Sequence, residues 1–231
     1  MRIGLATIYH QGNFFQSFKG KYFKCLGKPR NIFDSAEYHN FSEILVIHPK
    51  NPPISSSYPS TKKITDFFCS IPLIISGDIL ENKAQWFDNA GVERYAFNSL
   101  CFEEENDLHD QYLKDFGRQA LLGIIPFVKE ENQYYALDYS RFKKRIINQN
   151  FIDRLFHIYD EIIFHDISSH GLNCGFDFNI FDSINIPLNR TIICGGVNLN
   201  SIPTAKKLNI AAVYFENISF HSETLIYDHM R

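Results

Sequence analysis

The sequence predicts an α/β fold, a single (β/α)8 barrel of the TIM-barrel type, from two observations. Short apolar runs of strand length recur along the 231 residues, and segments with helical spacing follow most of them. This alternation predicts one parallel sheet, and eight strands are the number that closes a barrel. The second observation is an internal repeat, which predicts one domain, 1–231, made of two similar half-barrels, about 1–118 and 119–231. A doubly wound open sheet is the alternative, but it gives no reason for the repeat.

Eight apolar runs supply the predicted strands, and each is rich in the β-branched or aromatic residues that buried strands favour. The runs are Ile3–Ile8, Glu43–Ile47, Ile71–Ile75, Arg94–Phe97, Ala120–Ile125, Glu161–Phe164, Thr191–Ile193 and Ala211–Phe215. Segments with the polar–apolar spacing of helices lie between them, for example Ser60–Cys69, Asn82–Asn89, Glu103–Phe116, Phe151–Tyr159 and Asn198–Leu208.

The internal repeat aligns two strand–helix–strand segments without a gap. When Leu73–Ser99 is set beside Thr191–Asn217, Gly77 falls on Gly195, an offset of 118 residues. The same offset carries the start of the second predicted strand, position 43, onto the start of the sixth, position 161. Half-barrel duplication explains a shared offset between distant stretches, whereas the alternative is that any two strand–helix units look alike.

Two connections are too long for simple strand–helix turns. Val128–Ile146 follows the fifth strand, and its alternation of polar and apolar residues predicts an extra hairpin over the mouth of the barrel. His10–Arg30 follows the first strand and is basic and aromatic. Its lysines either attract a phosphorylated ligand or are simply solvated.

Composition excludes several classes of partner. The formal net charge is −3 and no long run of like charge occurs, so nucleic acid is not expected. No apolar run approaches about 18 residues, so no membrane span is expected. The five cysteines are scattered and odd in number, which favours reduced thiols and a cytoplasmic location.

Glycines and small polar residues follow several predicted strands, at the end of a barrel where binding and catalysis occur. Glycine at a strand end lets an anion approach backbone N–H groups at the start of a helix. Each glycine alone is also explained as a turn, but as a symmetric set they predict two phosphate sites on opposite sides of the mouth. The predicted phosphate-binding residues are Gly77, Asn98, Ser99, Gly171, Gly195, Gly196 and Asn217.

Four motifs in order carry a resemblance to a known family. They are Gly91–Ser99 (GVERYAFNS), Phe116–Ile124 (FGRQALLGI), Glu161–Asp177 (EIIFHDISSHGLNCGFD) and Ile192–Val197 (IICGGV). Together they resemble the cyclase subunit of imidazole glycerol phosphate synthase, a lyase of histidine biosynthesis, and paralogues of it from bacterial surface-polysaccharide gene clusters. The resemblance implies a barrel that binds a doubly phosphorylated ribonucleotide. It also implies a glutaminase (glutamine amidotransferase) partner that docks on the N-terminal face and supplies ammonia.

The resemblance assigns a role to four charged residues at strand starts. Arg2, Glu43, Arg94 and Glu161 match the ring of charges that gates ammonia entry in the family. Opposite charges around a narrow pore neutralise one another, and the rearrangement of one salt bridge can open the pore. The alternative is a salt-bridged plug that only stabilises the base of the barrel.

The family's catalytic pair does not match. The resemblance implies an aspartate at the end of the first strand and another at the end of the fifth, where this chain has Ile8 and Pro126. Neither residue can carry a proton, and loss of a general acid or base costs about 10²- to 10⁴-fold in rate. Enzymatic ring closure of the family type is therefore not expected.

Histidines are the candidates for replacement chemistry. His165 is expected to point into the barrel from the sixth strand, and His48 follows the second strand. With nearby acids they are candidates for acid–base catalysis or for metal ligation, but no spacing such as His-x-x-x-His supports a metal, and no cofactor is predicted. The alternative is that they are polar residues at the rim of a barrel that has lost its reaction.

Three functional hypotheses follow. The first is a divergent paralogue of the cyclase subunit that delivers ammonia, for example for amidation of a surface sugar. The second is a catalytically inactive barrel, a pseudoenzyme that binds a phosphorylated small molecule or scaffolds a glutaminase. The third is a different acid–base enzyme built on His48 and His165.

Overall fold

A computed structural model describes residues 1–10, 13–19, 21–38, 40–47, 70–76, 92–103, 107–139 and 141–216 of the chain. Within these ranges, eight parallel strands form a closed barrel, as predicted. The barrel strands are β1 (Arg2–His10), β4 (Ile44–Ile47), β5 (Leu73–Ser76), β6 (Arg94–Phe97), β7 (Leu121–Glu130), β10 (Glu161–Asp166), β11 (Thr191–Cys194) and β12 (Ala212–Phe215).

The barrel closes through the pairing of β7 with β10. These strands pair in parallel from Glu161 opposite Leu122 to Asp166 opposite Phe127. The other strands follow one another around the barrel in chain order, and β12 returns to pair with β1. The open-sheet alternative is therefore wrong, because a doubly wound sheet keeps two unpaired edges.

Alternating side chains on each strand divide the apolar residues into an inner and an outer core. The inner core fills the barrel and includes Ala6, Ile8, Ile124 and Ile163. The outer core lies between the strands and the surrounding helices and loops, and it includes the alternate residues of the same strands, such as Leu5. Burial on both faces explains why these strands read as nearly continuous apolar runs in the sequence.

The described helices lie between barrel strands. They are α1 (Pro29–Tyr38), α2 (Asp107–Phe116), α3 (Gln149–Ile158) and α4 (Ser201–Lys207), with short 3-10 helices at Ser99–Phe102, Arg118–Ala120, Phe178–Phe181 and Leu188–Arg190. Asn148 caps α3, because its side chain accepts a hydrogen bond from the Phe151 N–H at 3.0 Å. The helices predicted at Ser60–Cys69 and Asn82–Asn89 lie outside the described residues.

Two antiparallel hairpins extend barrel strands at the C-terminal end of the barrel. After β7, β8 (Gln133–Asp138) and β9 (Lys143–Ile146) form the hairpin predicted within Val128–Ile146. After β1, β2 (Asn13–Phe18) and β3 (Lys21–Gly27) form a second hairpin in the long connection. The second hairpin lies against the loop after β10, because the Lys19 N–H donates to the His170 carbonyl at 2.9 Å.

Two observations bear on the expected environment. Among the described residues, no helix has both the length and the apolar character that crossing a bilayer requires. Cys25, Cys101, Cys174 and Cys194 are free thiols.

Gly4 is a point where the inner core admits no side chain. A Cβ at this position would lie 2.5 Å from two ring carbons of Tyr214 and 3.0 Å from the Glu43 carbonyl oxygen. We expect Gly4→Ala to lower the free energy of unfolding by about 1–3 kcal/mol, the usual cost of overpacking, as measured by urea denaturation. Gly4→Ala in a Tyr214→Leu background should cost less, and an equal cost in both backgrounds would contradict the steric explanation.

Candidate functional site

The N-terminal end of the barrel carries a closed ring of ion pairs formed by the four predicted residues. Arg2 contacts Glu161 at 2.6 Å and, through Nε, Glu43 at 3.0 Å. Arg94 contacts Glu161 at 2.6 Å through Nη1 and also contacts Glu43 through Nη2. Each guanidinium therefore bridges both carboxylates, and the ring has two charges of each sign.

The four members of this ring differ in their access to water. The side chains of Glu43, Glu161 and Arg94 are 4%, 11% and 18% exposed, whereas that of Arg2 is 40% exposed. Burial alone would lower the pKa of Arg94, but attraction to Glu43 and a hydrogen bond to Glu161 raise it above its ordinary value. Both guanidinium groups therefore keep their charge, and Arg2 is the member of the ring with the most access to water.

Apolar and aromatic side chains occupy the barrel above the ring. The aromatic ring of Tyr214 lies over Gly4, one layer of side chains from the ion-pair ring. Burial raises the pKa of Tyr214, and the negative charge of Glu43 raises it further. Alanines at positions 6, 96 and 212 belong to the same inner core. Between its two ends the barrel is thus filled by apolar residues, mostly isoleucine, leucine and alanine, and by one un-ionised phenol.

Apolar residues stand where the family resemblance implies catalytic aspartates. Ile8 is 3% exposed and belongs to the inner core. Pro126 lies on β7 opposite His165 of the neighbouring β10. Neither position supplies a carboxylate to the barrel mouth.

A cluster of three buried ionisable residues lies at the C-terminal end of the barrel. His165 is on β10, His170 is in the loop that follows, and Glu216 directly follows β12. His165 Nε2 lies 2.8 Å from His170 Nδ1 and 3.6 Å from Glu216 Oε1, and His170 Nδ1 also contacts Glu216 Oε1. Their exposed fractions are 2%, 2% and 4%, so the cluster, hereafter the mouth cluster, is closed to bulk water.

Backbone and side-chain groups hold the mouth cluster in place. The second carboxylate oxygen of Glu216, Oε2, accepts hydrogen bonds from the Gly171 N–H at 2.8 Å and from the Gly196 N–H at 3.4 Å. His170 Nε2 contacts the hydroxyl of Ser17 on the β2–β3 hairpin. The cluster therefore joins the first, sixth, seventh and eighth barrel strands and their connections.

Burial and charge set the protonation of the mouth cluster. Burial lowers the pKa of His165 below its ordinary value, against the opposing hydrogen bond to Glu216. For Glu216, burial would raise the pKa, but the charge of His170 and hydrogen bonds from both histidines lower it well below the ordinary range. The cluster thus holds an ionised carboxylate beside an imidazole that resists protonation.

Cys194 is next to the mouth cluster in the barrel wall, because it pairs with His165 across β10 and β11. It is fully buried, and burial together with the charges of Glu216 and Asp166 raises its pKa well above the ordinary value. A thiol that resists ionisation is a poor nucleophile, which argues against a Cys194–His165 catalytic pair.

Six of the seven predicted phosphate residues, all but Gly195, fall into three groups. Asn98 and Ser99 are buried and bind the β7–β8 region: Asn98 Nδ2 donates to the Leu137 carbonyl at 3.0 Å, and Ser99 Oγ donates to Asp138 Oδ1 at 2.8 Å. Gly171 and Gly196 direct their N–H groups at Glu216. Gly77 and Asn217, together with the candidate His48, lie outside the described residues.

Gly195 has a backbone role that only glycine can fill. Its φ is +98°, and a Cβ there would lie 2.2 Å from the Asp166 carbonyl oxygen. The turn after β11 thus passes directly against the end of β10. This contact brings the loop glycines close to Glu216.

Two members of this arrangement escaped the sequence analysis. Ser17 carries no motif, and it reaches His170 only because the hairpin after β1 folds over the mouth. His170 lies within the motif Glu161–Asp177 and is not singled out by residue type or spacing. Its position directly before Gly171 in a loop after a barrel strand is the available signal, since such loops form the functional end of a barrel.

Comparisons with known proteins add no assignment. The sequence matches none of the protein-family models against which it was scanned, and a search of curated proteins finds no significant match.

The burial difference within the ion-pair ring predicts unequal effects of substitution. Arg94→Met should lower the free energy of unfolding by about 3–5 kcal/mol, because it leaves buried carboxylates short of positive charge. Arg2→Met is the matched control and should cost clearly less, because water reaches that side of the ring. Urea denaturation of both variants measures the difference, and equal losses would contradict this account.

The lowered pKa of His165 predicts a loss of stability in mild acid. Its pKa in the folded protein is below the ordinary value of 6.5, so below about pH 6.5 the unfolded chain binds the proton first and unfolding is favoured. His109 is shifted in the same direction by burial, so it contributes with the same sign.

We expect the free energy of unfolding to fall between about pH 7 and about pH 5, and His165→Asn should flatten this profile. The measurement is urea denaturation at each pH in the presence of EDTA. His109→Asn is the control for the second buried histidine. An unchanged slope in His165→Asn would show that His165 does not titrate as described.

Proposed function

We propose that this chain is a divergent member of the family of the imidazole glycerol phosphate synthase cyclase subunit. In this proposal its barrel receives ammonia from a glutaminase docked on its N-terminal face and delivers it to an acceptor at the mouth. The observation that carries the proposal is the closed ring of Arg2, Glu43, Arg94 and Glu161 at the N-terminal end of the barrel. An ion-pair ring with balanced charges closes the N-terminal end of the barrel, and the breaking of one ion pair can open that end.

The ring and the barrel interior suit an uncharged solute. Charged ammonium would have to pass two guanidinium groups and then an apolar interior, at a high desolvation cost. Neutral ammonia avoids that cost. Arg2, the most exposed member of the ring, is the residue that a docked partner would reach first and draw out of the ring.

Half-barrel duplication is part of this proposal and has two supports. The first and fifth barrel strands, which occupy equivalent places in the two halves, each run on into an antiparallel hairpin. Glu43 and Glu161, at equivalent positions, both form ion pairs with Arg2 and Arg94.

The acceptor chemistry differs from that of the family, because Ile8 and Pro126 replace both acids. Transfer of ammonia to a phosphorylated or nucleotide-linked sugar, with the chemistry completed by another enzyme, fits a barrel that keeps its floor and lacks that acid pair. Amidation of a surface sugar is one reaction of this class.

One observation favours the second candidate, a catalytically inactive scaffold. The N–H groups of Gly171 and Gly196, which the resemblance assigns to phosphate, donate to the carboxylate of Glu216. The carboxylate of Glu216 thus occupies the position in which the resemblance implies the phosphate of a ligand. A phosphorylated ligand would have to displace Glu216 or bind in the opposite half of the mouth.

The test of the lost reaction uses the family's doubly phosphorylated ribonucleotide with ammonium chloride and the purified full chain. We expect no imidazole formation above background, because the loss of each acid costs about 10²- to 10⁴-fold. Cyclisation at a rate within about 100-fold of an authentic cyclase subunit would overturn the assignment of Ile8 and Pro126 as disabling.

The test of the ammonia role uses the glutaminase subunit from the same genome. We expect a specific complex by isothermal titration calorimetry, and glutamine hydrolysis that rises when the barrel is added. Arg2→Ala should change the ammonia that escapes to the medium, whereas Arg30→Ala, an exposed residue paired with Asp34 on α1, should not. Absence of a complex would contradict the proposal, and a complex with unaltered ammonia escape in Arg2→Ala would favour the scaffold.

A further inference from the structure

The mouth cluster presents three atoms that are common metal ligands to one point. His165 Nε2, His170 Nδ1 and a Glu216 carboxylate oxygen come from three elements at the C-terminal end of the barrel, and all three ligand atoms lie within 4.8 Å of one another. Two imidazoles and one carboxylate form the ligand set of many zinc and non-haem iron sites. We infer that this cluster is a binding site for a divalent transition ion of the zinc class.

The separations of the ligand atoms fit such an ion. Two atoms bound tetrahedrally at about 2.1 Å from zinc lie about 3.4 Å apart. The distances from His165 Nε2 to the other two residues, 2.8 Å to His170 and 3.6 Å to Glu216, fall on either side of this value. His170 Nδ1 and Glu216 Oε1 are in direct contact, so these two side chains would have to move apart to admit the ion.

In two of the three candidate ligand residues, the polar atom that points away from the common centre has a hydrogen-bond partner, as is usual in metal sites. A metal-binding histidine usually gives its other nitrogen to a hydrogen-bond partner, and here His170 Nε2 contacts the Ser17 hydroxyl. Ligating carboxylates are held in the same way, and Glu216 Oε2 accepts from the Gly171 and Gly196 N–H groups. These contacts leave His170 Nδ1 and Glu216 Oε1 directed at the common centre.

The connectivity Ser17–His170–Glu216 also resembles a serine–histidine–acid relay, and two features argue against that use. Ser17 is fully buried, so a substrate could not reach its hydroxyl without removal of the hairpin. In a relay the acid alone orients the histidine, whereas here His165 Nε2 also lies 2.8 Å from the same nitrogen of His170. Three groups that converge on one point suit a cation better than a proton relay.

This site lies at the opposite end of the barrel from the ion-pair ring and does not depend on the proposed ammonia role. The cluster is closed to bulk water, so the ion would hold together the strand β10, the loop after it and the end of β12.

The experiment is metal analysis of the purified full chain. After incubation with zinc chloride and desalting, we expect about one zinc per chain by inductively coupled plasma mass spectrometry, and a thermal midpoint that rises with free zinc. Cobalt(II) added to the chelator-treated protein should give visible d–d bands of a nitrogen and oxygen site without a thiolate charge-transfer band, because Cys194 is not a ligand.

His165→Asn, His170→Asn and Glu216→Gln should each lose zinc and the zinc-dependent rise in thermal midpoint. His109→Asn is the matched control, since His109 is buried on α2 against Tyr159, away from the cluster. If a variant fails to fold, the cobalt spectrum of the wild type still tests the ligand set.

Zinc at background level in the wild type would overturn the inference, as would equal loss in His109→Asn. Labelling of Ser17 by a fluorophosphonate in zinc-free protein would also overturn it, in favour of the relay. None of these outcomes bears on the glutaminase test, which probes the other end of the barrel.

Discussion

The pairing of β7 with β10 is the interaction on which the rest of the molecule depends, because it closes the sheet. In a closed barrel every second side chain must share a narrow interior, whatever its distance along the chain. Closure therefore places Arg2 beside Glu161, and His165 beside Glu216. Charged residues in such a space must neutralise one another, and they do so at both ends.

The two ends of the barrel differ in the groups that neutralise their charged residues. At the base, two guanidinium groups and two carboxylates form a balanced ring with one water-accessible member, Arg2. At the mouth, one carboxylate contacts two imidazoles. Between them lies an apolar core with Tyr214 packed over Gly4.

The loops that contain Gly171 and Gly196 contact the mouth cluster. Their N–H groups face inward, where an anion can bind, but the anion in this structure is the side chain of Glu216. The same carboxylate also holds His170. Glu216 therefore contacts both the glycine N–H groups and the two histidines. Ile8 and Pro126 supply no ionisable group, so the ionisable side chains at this end of the described barrel include the mouth cluster and the buried Asp166.

The sequence by itself determined the barrel class, the places of all eight strands and the hairpin after β7, because apolar periodicity is a local property that burial imposes directly. The match is residue for residue at Arg94–Phe97 and within a few residues elsewhere. The four members of the ring were expected from the family resemblance. Only the tertiary structure decided how the mouth is built. No spacing along the chain relates Ser17, His170 and Glu216, and they meet because the hairpin after β1 folds over the loop after β10 while closure brings the end of β12 beside them. Contacts of this kind depend on three-dimensional proximity between distant segments, which residue type and periodicity do not encode.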